Sequence, residues 1–276
     1  MKDIRRMANN GHVAALELKG KVKTKNYVEG KPAQVCVTLA DLRDKPTGRR
    51  QRQLLFGDLV MIYETYENLC FVQSQKDDYV GYIKNSELSI NPLPWTHLVI
   101  APICHVYETA DVKAADVMVL TLGAKLFCLD QKNGFVRIRE GWIKTIAIAA
   151  RDTQLNNPME IAESLKNAPY LWGGNSAMGI DCSGLIQLTC NLCGLECPAD
   201  SDMQAAELGY ILDKEVKLRR GDLVFWNGHV AWVCTVDKIL HSSAFHMATV
   251  EEDLAAAILR IEEKGDGTPI CYKRLF

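Results

Sequence analysis

The sequence has no long apolar segment of the kind that marks a membrane span or a secretion signal. No stretch approaches the roughly 20 consecutive apolar residues that a membrane helix needs. The N-terminal residues carry charges and no uninterrupted apolar run of about 7–15 residues, so they do not resemble a signal peptide. Ten cysteines without such a signal are typical of a reducing compartment. We therefore expect a cytoplasmic protein that does not bind membranes.

The sequence also lacks a marked excess of charge of one sign. Its 32 basic and 34 acidic side chains leave a formal net charge of −2, which gives no electrostatic reason to expect nucleic acid as a partner. The local exception is residues 43–52, where the basic side chains are Arg43, Lys45, Arg49, Arg50 and Arg52. We interpret this segment as a solvated loop, with a patch for a substrate carboxylate or phosphate as the alternative.

A complete set of metal ligands is missing as well. Cys190, Cys193 and Cys197 resemble a metal-binding cluster, but a zinc site usually needs a second pair of Cys or His at a fixed distance. No such pair follows them. We expect these cysteines to behave as small apolar core residues, with a metal or redox role as the alternative. The sequence therefore predicts no metal and no cofactor.

Two consecutive segments have the pattern of small β-barrels. From residue 31 onwards, short runs of Val, Leu, Phe, Tyr and Ile are bounded by Gly, Asp and Asn. The paired motifs are residues 54–60 (LLFGDLV) with 120–126 (LTLGAKL), and 80–84 (VGYIK) with 140–144 (EGWIK). This repetition predicts two tandem barrels, over residues 31–91 and 92–150, rather than one large sheet. Residues 1–30 form an N-terminal extension.

Residues 151–276 change to a pattern of helices followed by strands. Asn157 can cap a helix that has Pro158 at its first position, and a second helix begins at Cys182. A further short helix is predicted at 199–209, and strands at 223–226, 229–236, 239–242 and 270–275. The predicted architecture is therefore two small all-β barrels followed by an α+β domain.

The start of the second helix contains the candidate reactive residue. The segment 181–184 (DCSG) precedes an apolar run, so Asp181 can cap a helix whose first turn contains Cys182. The helix terminus and a nearby protonated histidine would both favour a thiolate there. Two histidines, His229 and His241, follow on predicted strands. A cysteine on a helix followed by histidines on strands is the plan of a thiol hydrolase.

Each of these residues has a predicted role and an alternative. Cys182 is the candidate nucleophile, with a buried structural thiol as the alternative. His229 is the candidate general base, and His241 would orient it and select its tautomer. His246 competes for that orienting role, although we expect it at the surface. The remaining histidines, His12, His97 and His105, lie in the N-terminal segments without predicted partners.

Six short motifs in this order resemble the NlpC/P60 family of papain-like cysteine peptidases, over about the last 120 residues. They are 170–174 (YLWGG), 181–184 (DCSG), 202–204 (DMQ), 220–225 (RGDLVF), 228–230 (GHV) and 241–243 (HSS). The preceding segments resemble bacterial SH3-type domains. The resemblance implies a papain-like catalytic domain and hydrolysis of cell-wall peptides between γ-D-glutamate and a diamino acid. It also implies murein peptides with a free N-terminal L-Ala as substrates, as in cell-wall recycling.

The same resemblance implies roles for four further residues. Tyr170 would supply a hydroxyl to the oxyanion, with a core tyrosine as the alternative. Asp181 and Ser183 would hold the free amino group of the substrate, unless Asp181 merely caps the helix. Tyr79 is the candidate aromatic side chain from the first barrel for the same pocket.

Two other classes of function stay open at this point. One is a different thiol amidase or acyltransferase on the same scaffold. The other is a non-catalytic protein that binds cell-wall peptides. A thiol-alkylating reagent would separate the enzymes from the binder, because only an enzyme needs an unusually reactive cysteine at neutral pH.

Overall fold

The computed structural model describes residues 3–213 and 215–275. The chain divides into two compact units, Met1–Thr153 and Gln154–Phe276. Every α-helix found among the described residues lies in the second unit, and none of them is long and apolar enough to span a membrane. The predicted order, an all-β part followed by an α+β part, is thereby confirmed.

The N-terminal unit is built from short strands. They are β1 (Val13–Ala15), β2 (Asn26–Val28), β3 (Lys31–Val35), β4 (Leu39–Arg43), β5 (Arg50–Leu55), β6 (Leu59–Tyr66), β7 (Leu69–Ser74), β8 (Val80–Lys84), β9 (Leu88–Ser89), β10 (His97–Val99), β11 (Ile103–Tyr107), β12 (Asp116–Thr121), β13 (Lys125–Leu126), β14 (Asp130–Lys132), β15 (Phe135–Arg137), β16 (Trp142–Lys144) and β17 (Ile148–Ala150). Strands β3–β9 form one sheet in the order β5-β4-β8-β7-β6-β3-β9. Strands β10–β17 form two sheets, β13-β10-β17 and β12-β11-β16-β15-β14. The two predicted repeats therefore build separate sheets.

The N-terminal extension is folded. Strand β1 pairs in parallel with β2, and Ala14, Ala15 and Leu18 are buried in a small apolar cluster. Tyr63 and Val80, from β6 and β8, pack against this cluster. The apolar residues of the extension thus attach it to the first sheet of the same unit.

The expectation of a solvated loop at residues 43–52 holds for 44–49, where Lys45 and Arg49 are exposed, but it is wrong at the two ends, which lie in strands. The segment forms a hairpin that joins β4 to β5, and Arg52 is 2% exposed. Arg43 and Arg50 both contact the carboxylate of Asp41, at 3.1 and 2.7 Å. Because Asp41 balances the charge of Arg43 and Arg50, arginines occur here within a sheet.

A buried carboxylate joins the two sets of sheets within this unit. Asp58 is 3% exposed, and its oxygens lie 3.1 Å from Lys76 Nζ and 3.0 Å from Lys125 Nζ. Burial alone would raise the pKa of Asp58, but the two ammonium groups and the Leu55 N–H outweigh it and lower that pKa. The preceding Gly57 has φ +82°, and a Cβ there would lie 2.1 Å from the Lys125 carbonyl oxygen. The repeated motif therefore forms the junction between the two predicted barrels.

The C-terminal unit contains α-helices and one larger sheet. Its elements are α1 (Pro158–Ser164), β18 (Asn175–Ser176), β19 (Gly179–Ile180), α2 (Cys182–Leu192), α3 (Ser201–Glu207), β20 (Tyr210–Ile211), β21 (Leu223–Trp226), β22 (His229–Thr235), β23 (Lys238–Ser243), β24 (Ala248–Asp253), α4 (Leu254–Glu263) and β25 (Cys271–Arg274). The sheet has the order β20-β25-β21-β22-β23-β24, with antiparallel neighbours. Helices α1 to α3 therefore precede most of the strands, as predicted.

Both faces of this sheet are covered, because all four residues of β21 are buried and successive side chains point to opposite faces. Helix α2 packs against β22 and β23, while α4 covers the face formed by Val224, Ala231 and Ile239. Strand β21 has the predicted bounds. Strand β24 and helix α4 were not predicted from the sequence.

Candidate active site

Helix α2 begins at Cys182, as predicted. Its N-cap residue Asp181 accepts hydrogen bonds from the Gly184 N–H at 2.6 Å and from Ser183 Oγ at 3.1 Å. The other carboxylate oxygen accepts the Gly173 N–H at 2.8 Å. Cys182 is half-buried at the positive end of the helix dipole, where a thiolate is favoured.

Two glycines allow the preceding turn to lie directly against the start of α2. A Cβ on Gly184 would lie 2.4 Å from the Gly174 carbonyl oxygen, and one on Gly174 would lie 2.4 Å from the Gly179 carbonyl oxygen. Gly173 has φ +69°, which glycine adopts without strain. This tight turn determines where the cysteine lies.

The hairpin β22–β23 brings the two predicted histidines together. Trp232 pairs with Leu240, and since side chains alternate along each strand, His229 and His241 fall on one face of the sheet. His229 Nε2 lies 2.8 Å from His241 Nδ1. His241 is fully buried, whereas His229 is half-buried beside the ring of Trp226. The pair therefore has one protected end and one partly open end.

The start of α2 is tied to both histidine strands. Cys182 Sγ lies 4.0 Å from the carbonyl oxygen of Gly228, the residue before His229. Ser242, which follows His241 on β23, donates from Oγ to the Ile180 carbonyl oxygen at 2.7 Å. These contacts hold the thiol and the histidine pair in one region of the unit.

Both histidines are neutral near pH 7. Burial lowers the pKa of His229 to about 3, and the charges of His241 and Arg260 act in the same direction. Burial also lowers the pKa of His241, although Glu252 opposes it. A neutral imidazole has a lone pair that can accept the proton of a thiol, as a general base must.

Two charged residues that the sequence analysis missed extend this pair. Glu252 Oε2, on β24, lies 3.0 Å from His241 Nε2. Arg260, on α4, donates from Nε and Nη2 to the two Glu252 oxygens at 2.9 and 2.6 Å. Burial opposes ionisation of Glu252, but the hydrogen bonds from His241 and Arg260 outweigh it and lower the pKa of the carboxyl group. The residues form a continuous series from the arginine to His229.

His246 lies next to this series and is exposed, as predicted. Its Nε2 is 3.4 Å from Glu252 Oε2. Within residues 3–213 and 215–275, His241, His246 and Glu252 are the group of three whose ligand atoms lie close enough for a metal ion, within 4.8 Å of one another. Because Arg260 already contacts both carboxylate oxygens, a cation would have to displace a guanidinium group.

The expected burial of the three clustered cysteines is confirmed at Cys190 and Cys197, while Cys193 is half-buried.

Tyr170 lies just before the glycine turn. Its backbone N–H donates to the Met247 carbonyl oxygen at 3.0 Å. Burial raises the pKa of its hydroxyl, and the charges of Cys182 and Asp181 raise it further. The phenol is therefore protonated at neutral pH and lies within electrostatic reach of the thiol. Its contact with an oxyanion stays a prediction.

The residues predicted to bind the substrate's amino group lie in different units. Asp181 and Ser183 belong to the cap of α2, which agrees with the structural alternative for Asp181. Tyr79 lies in the N-terminal unit, is 3% exposed and bonds through its backbone N–H to Asp77 Oδ1 at 3.2 Å. A substrate-binding role for these three residues stays a prediction.

The combined geometry suits nucleophilic acyl transfer. A thiol lies at a helix N-terminus, a neutral imidazole begins strand β22, and a second imidazole contacts Nε2 of the first. A nucleophile, a base and an orienting group in this order define the triad arrangement.

Comparison with known proteins agrees with this chemistry. Residues 167–257 match the model of the NlpC/P60 family, and residues 42–88 match the model of the bacterial dipeptidyl-peptidase SH3 domain. A protein from Bacillus subtilis (strain 168) named gamma-D-glutamyl-L-lysine dipeptidyl-peptidase is 26% identical over 218 residues, which are 70% of this chain and 72% of that protein. Dipeptidyl-peptidase 6 of Lysinibacillus sphaericus is 24% identical over 221 residues, 69% of this chain and 79% of that protein.

A solved structure shows the same fold. The crystal structure of an NlpC/P60 family protein from Bacillus cereus ATCC 10987 has a TM-score of 0.75 and 18% sequence identity to this chain. The match covers 88% of this chain and 99% of that one. These matches show that the chain contains an NlpC/P60 domain and a bacterial dipeptidyl-peptidase SH3 domain, and together with the thiol and histidine geometry they indicate a cysteine peptidase.

Proposed function

We propose that this enzyme hydrolyses the amide bond between the γ-D-glutamyl residue and the diamino acid of murein peptides. The observation that carries the proposal is the similarity to the gamma-D-glutamyl-L-lysine dipeptidyl-peptidase, which extends over 70% of the chain. The histidine pair beside a helix-terminal cysteine supports it, because hydrolysis of an unactivated amide needs both a strong nucleophile and an acid for the leaving amine.

Acylation begins at Cys182. His229 accepts the thiol proton, and the sulfur attacks the γ-glutamyl carbonyl carbon, forming a C–S bond while the carbonyl π electrons move to the oxygen. The backbone N–H groups at the start of α2 and the hydroxyl of Tyr170 are the donors proposed for that oxyanion. The protonated His229 then gives its proton to the diamino acid nitrogen as the C–N bond breaks. The product is a thioester on Cys182.

Deacylation repeats the proton transfers with water. His229 takes a proton from a water molecule that attacks the thioester carbonyl. The C–S bond breaks, and the sulfur leaves as a thiolate that regains the proton. His241 keeps the His229 ring in one orientation through both halves of the reaction.

We assign the substrates to peptides that begin with a free L-Ala. Asp181 carries a carboxylate next to the nucleophile, and Ser183 carries a hydroxyl on its other side. A substrate ammonium group is the charge that this carboxylate would attract. An enzyme restricted to free N-termini acts on released peptides rather than on intact wall, which suits cytoplasmic recycling.

The test is incubation with L-Ala-γ-D-Glu-diaminopimelate and product analysis by mass spectrometry. We expect the wild type and Cys193→Ala to release L-Ala-D-Glu, and Cys182→Ala to release none. The N-acetylated peptide should be cleaved at least about 100-fold more slowly, because its amine charge is lost. Equal cleavage of the two peptides would refute the requirement for a free amine. Absence of cleavage in the wild type, with Cys182 still reactive, would refute the substrate assignment.

A further inference from the structure

The carboxylate of Glu252 is the far end of a series of close polar contacts that the triad does not explain. From the active site outward, His229 Nε2 meets His241 Nδ1 at 2.8 Å, and His241 Nε2 meets Glu252 Oε2 at 3.0 Å. His241 is fully buried, so its ring nitrogens have these partners rather than bulk water. Each nitrogen of the second histidine thus faces a different group.

The protein holds Glu252 in place as an anion. Arg260 donates two hydrogen bonds to it, at 2.9 and 2.6 Å. The guanidinium in turn lies 4.7 Å from the ring centroid of Phe245, a cation–π contact that limits its movement. The register of the sheet contributes as well, because His241 pairs with Val250 and the side chain two residues further along β24 points to the same face.

A carboxylate at this position determines where the protons lie. An ionised carboxylate only accepts hydrogen bonds, so His241 must carry its proton on Nε2. The neutral ring then has a lone pair on Nδ1, and His229 must donate to it from Nε2. The single N–H of neutral His229 is therefore on Nε2, which leaves Nδ1 with the lone pair that can accept a proton. In the opposite arrangement Nδ1 would carry the proton and could not accept one from a thiol.

We propose that Glu252 is a positioning residue for the peptidase reaction: held by Arg260, it selects the tautomers of both histidines and so leaves His229 Nδ1 as the base. The proposal rests on the assignment of Cys182 and His229 given above. It adds two residues from β24 and α4 to the machinery, neither of which touches the substrate or the reacting atoms. Glu251, the neighbour of Glu252 on the opposite face, pairs instead with Lys166 at 2.7 Å and gives a matched control.

The test compares Glu252→Gln with Glu251→Gln in the full chain. Glutamine keeps the shape of the side chain but can donate as well as accept, so it no longer selects one tautomer. We expect kcat to fall about 10- to 100-fold with KM nearly unchanged, less than the roughly 10⁴-fold loss seen when a carboxylate that contacts the base directly is neutralised. Glu251→Gln should stay within about 2-fold of the wild type.

Two readouts separate positioning from a merely structural role. Nitrogen-15 NMR of histidine-labelled protein should show His229 and His241 protonated on Nε2 in the wild type, and a mixture of tautomers in Glu252→Gln. The rate of Cys182 alkylation by iodoacetamide should fall in the same variant. Glu252→Asp should recover part of both, because the negative charge is restored.

The results that would overturn the role of Glu252 differ from those that would overturn the proposed peptidase function. Loss of peptide cleavage in Glu252→Gln with unchanged tautomers and unchanged alkylation would overturn the proposal, as would wild-type kcat in that variant. The NMR and alkylation readouts need no peptide, so they still decide the proposal if the wild type cleaves a different substrate. If Glu252→Gln does not fold, Arg260→Gln keeps the carboxylate without its partner, and it should shift the tautomers in the same direction by a smaller amount. No shift would contradict the proposal.

Discussion

Each unit contains a cluster of charged and polar groups around one carboxylate, buried Asp58 in the first and half-buried Glu252 in the second, and the two carboxylates have different roles. In the N-terminal unit, Asp58 lies between the ammonium groups of Lys76 and Lys125, so every member of the cluster carries a full charge. In the C-terminal unit, Glu252 has a charged partner on one side, Arg260, and a buried neutral histidine on the other. Asp58 contacts only these two lysines among the charged groups that the structure describes, whereas Glu252 contacts His241, which in turn contacts the candidate base His229.

This difference shows what makes a cluster of polar and charged groups suitable for catalysis. Asp58 and its lysines connect two sets of strands, and the two ammonium groups lower the pKa of Asp58, so its carboxylate stays ionised near neutral pH. The second cluster contains neutral imidazoles, each of which can donate a proton from one ring nitrogen and accept one at the other. A fixed charge at one end then selects the proton positions at the other. The comparison predicts that removing charge from the first cluster changes stability, and that removing groups from the second changes rate.

The largest effect is expected from the active end of the second cluster. His229→Gln should reduce kcat/KM by at least about 10³-fold, because it removes both the base for the thiol and the acid for the leaving amine. The measurement is hydrolysis of the tripeptide at pH 7.5. The control is His105→Gln, which replaces an exposed histidine of the N-terminal unit. This variant should hydrolyse the tripeptide at the wild-type rate. A loss of less than about 10-fold in His229→Gln would exclude it as the general base.

Breaking the first cluster should affect folding instead. Asp58→Asn leaves two lysines close together without their counter-charge, and we expect the free energy of unfolding to fall by about 2–4 kcal/mol. Urea unfolding of the full chain measures this. Asp116→Asn removes a carboxylate from an exposed pair with His105, and it should change stability by less than about 0.5 kcal/mol. Equal effects of the two substitutions would mean that the Asp58 cluster does not hold the strands together.

The smallest effect concerns pH. The pKa of His229 is about 3 in the folded protein and near its ordinary value of 6.5 in the unfolded chain, so the unfolded chain binds the additional proton between these values. The stability of the C-terminal unit should therefore be complete above about pH 6.5 and fall as the pH decreases below it, by at most about 1.4 kcal/mol per pH unit from this residue. Urea unfolding at pH 7.5, 6.5 and 5.5 should show a smaller slope in His229→Gln. An unchanged slope would contradict the lowered pKa.

Local signals made much of the C-terminal unit predictable from sequence. The capping residue Asp181 and the apolar run after it specify the start of α2, and the buried run LVFW specifies β21 at its observed bounds. The cysteine and both histidines follow from the same motifs. The contact between His229 and His241 could not be predicted, because it depends on the register of the β22–β23 hairpin.

The parts that were missed depend on contacts between distant residues. Strand β24 contains three consecutive acidic residues, which are uncommon in strands, and it lies at the edge of the sheet. Helix α4 did have a recognisable signal, a capping Asp253 before apolar residues at helical spacing. The role of Glu252 could not be predicted, because its contact with His241 depends on the pairing of β24 with β23. The buried Arg52 was missed for a similar reason, because a cluster of basic residues in sequence does not show which of them a sheet will cover.

The central claim is that Cys182 forms a thioester with the γ-glutamyl group. The most direct test mixes enzyme with L-Ala-γ-D-Glu-diaminopimelate, quenches with acid within milliseconds to seconds, and maps the modified peptide by mass spectrometry. Since the chain contains ten cysteines, the position of the adduct is informative. We predict an L-Ala-D-Glu acyl group on the peptide that contains Cys182 and on no other. An adduct on a different cysteine, or hydrolysis that persists in Cys182→Ala, would contradict this account.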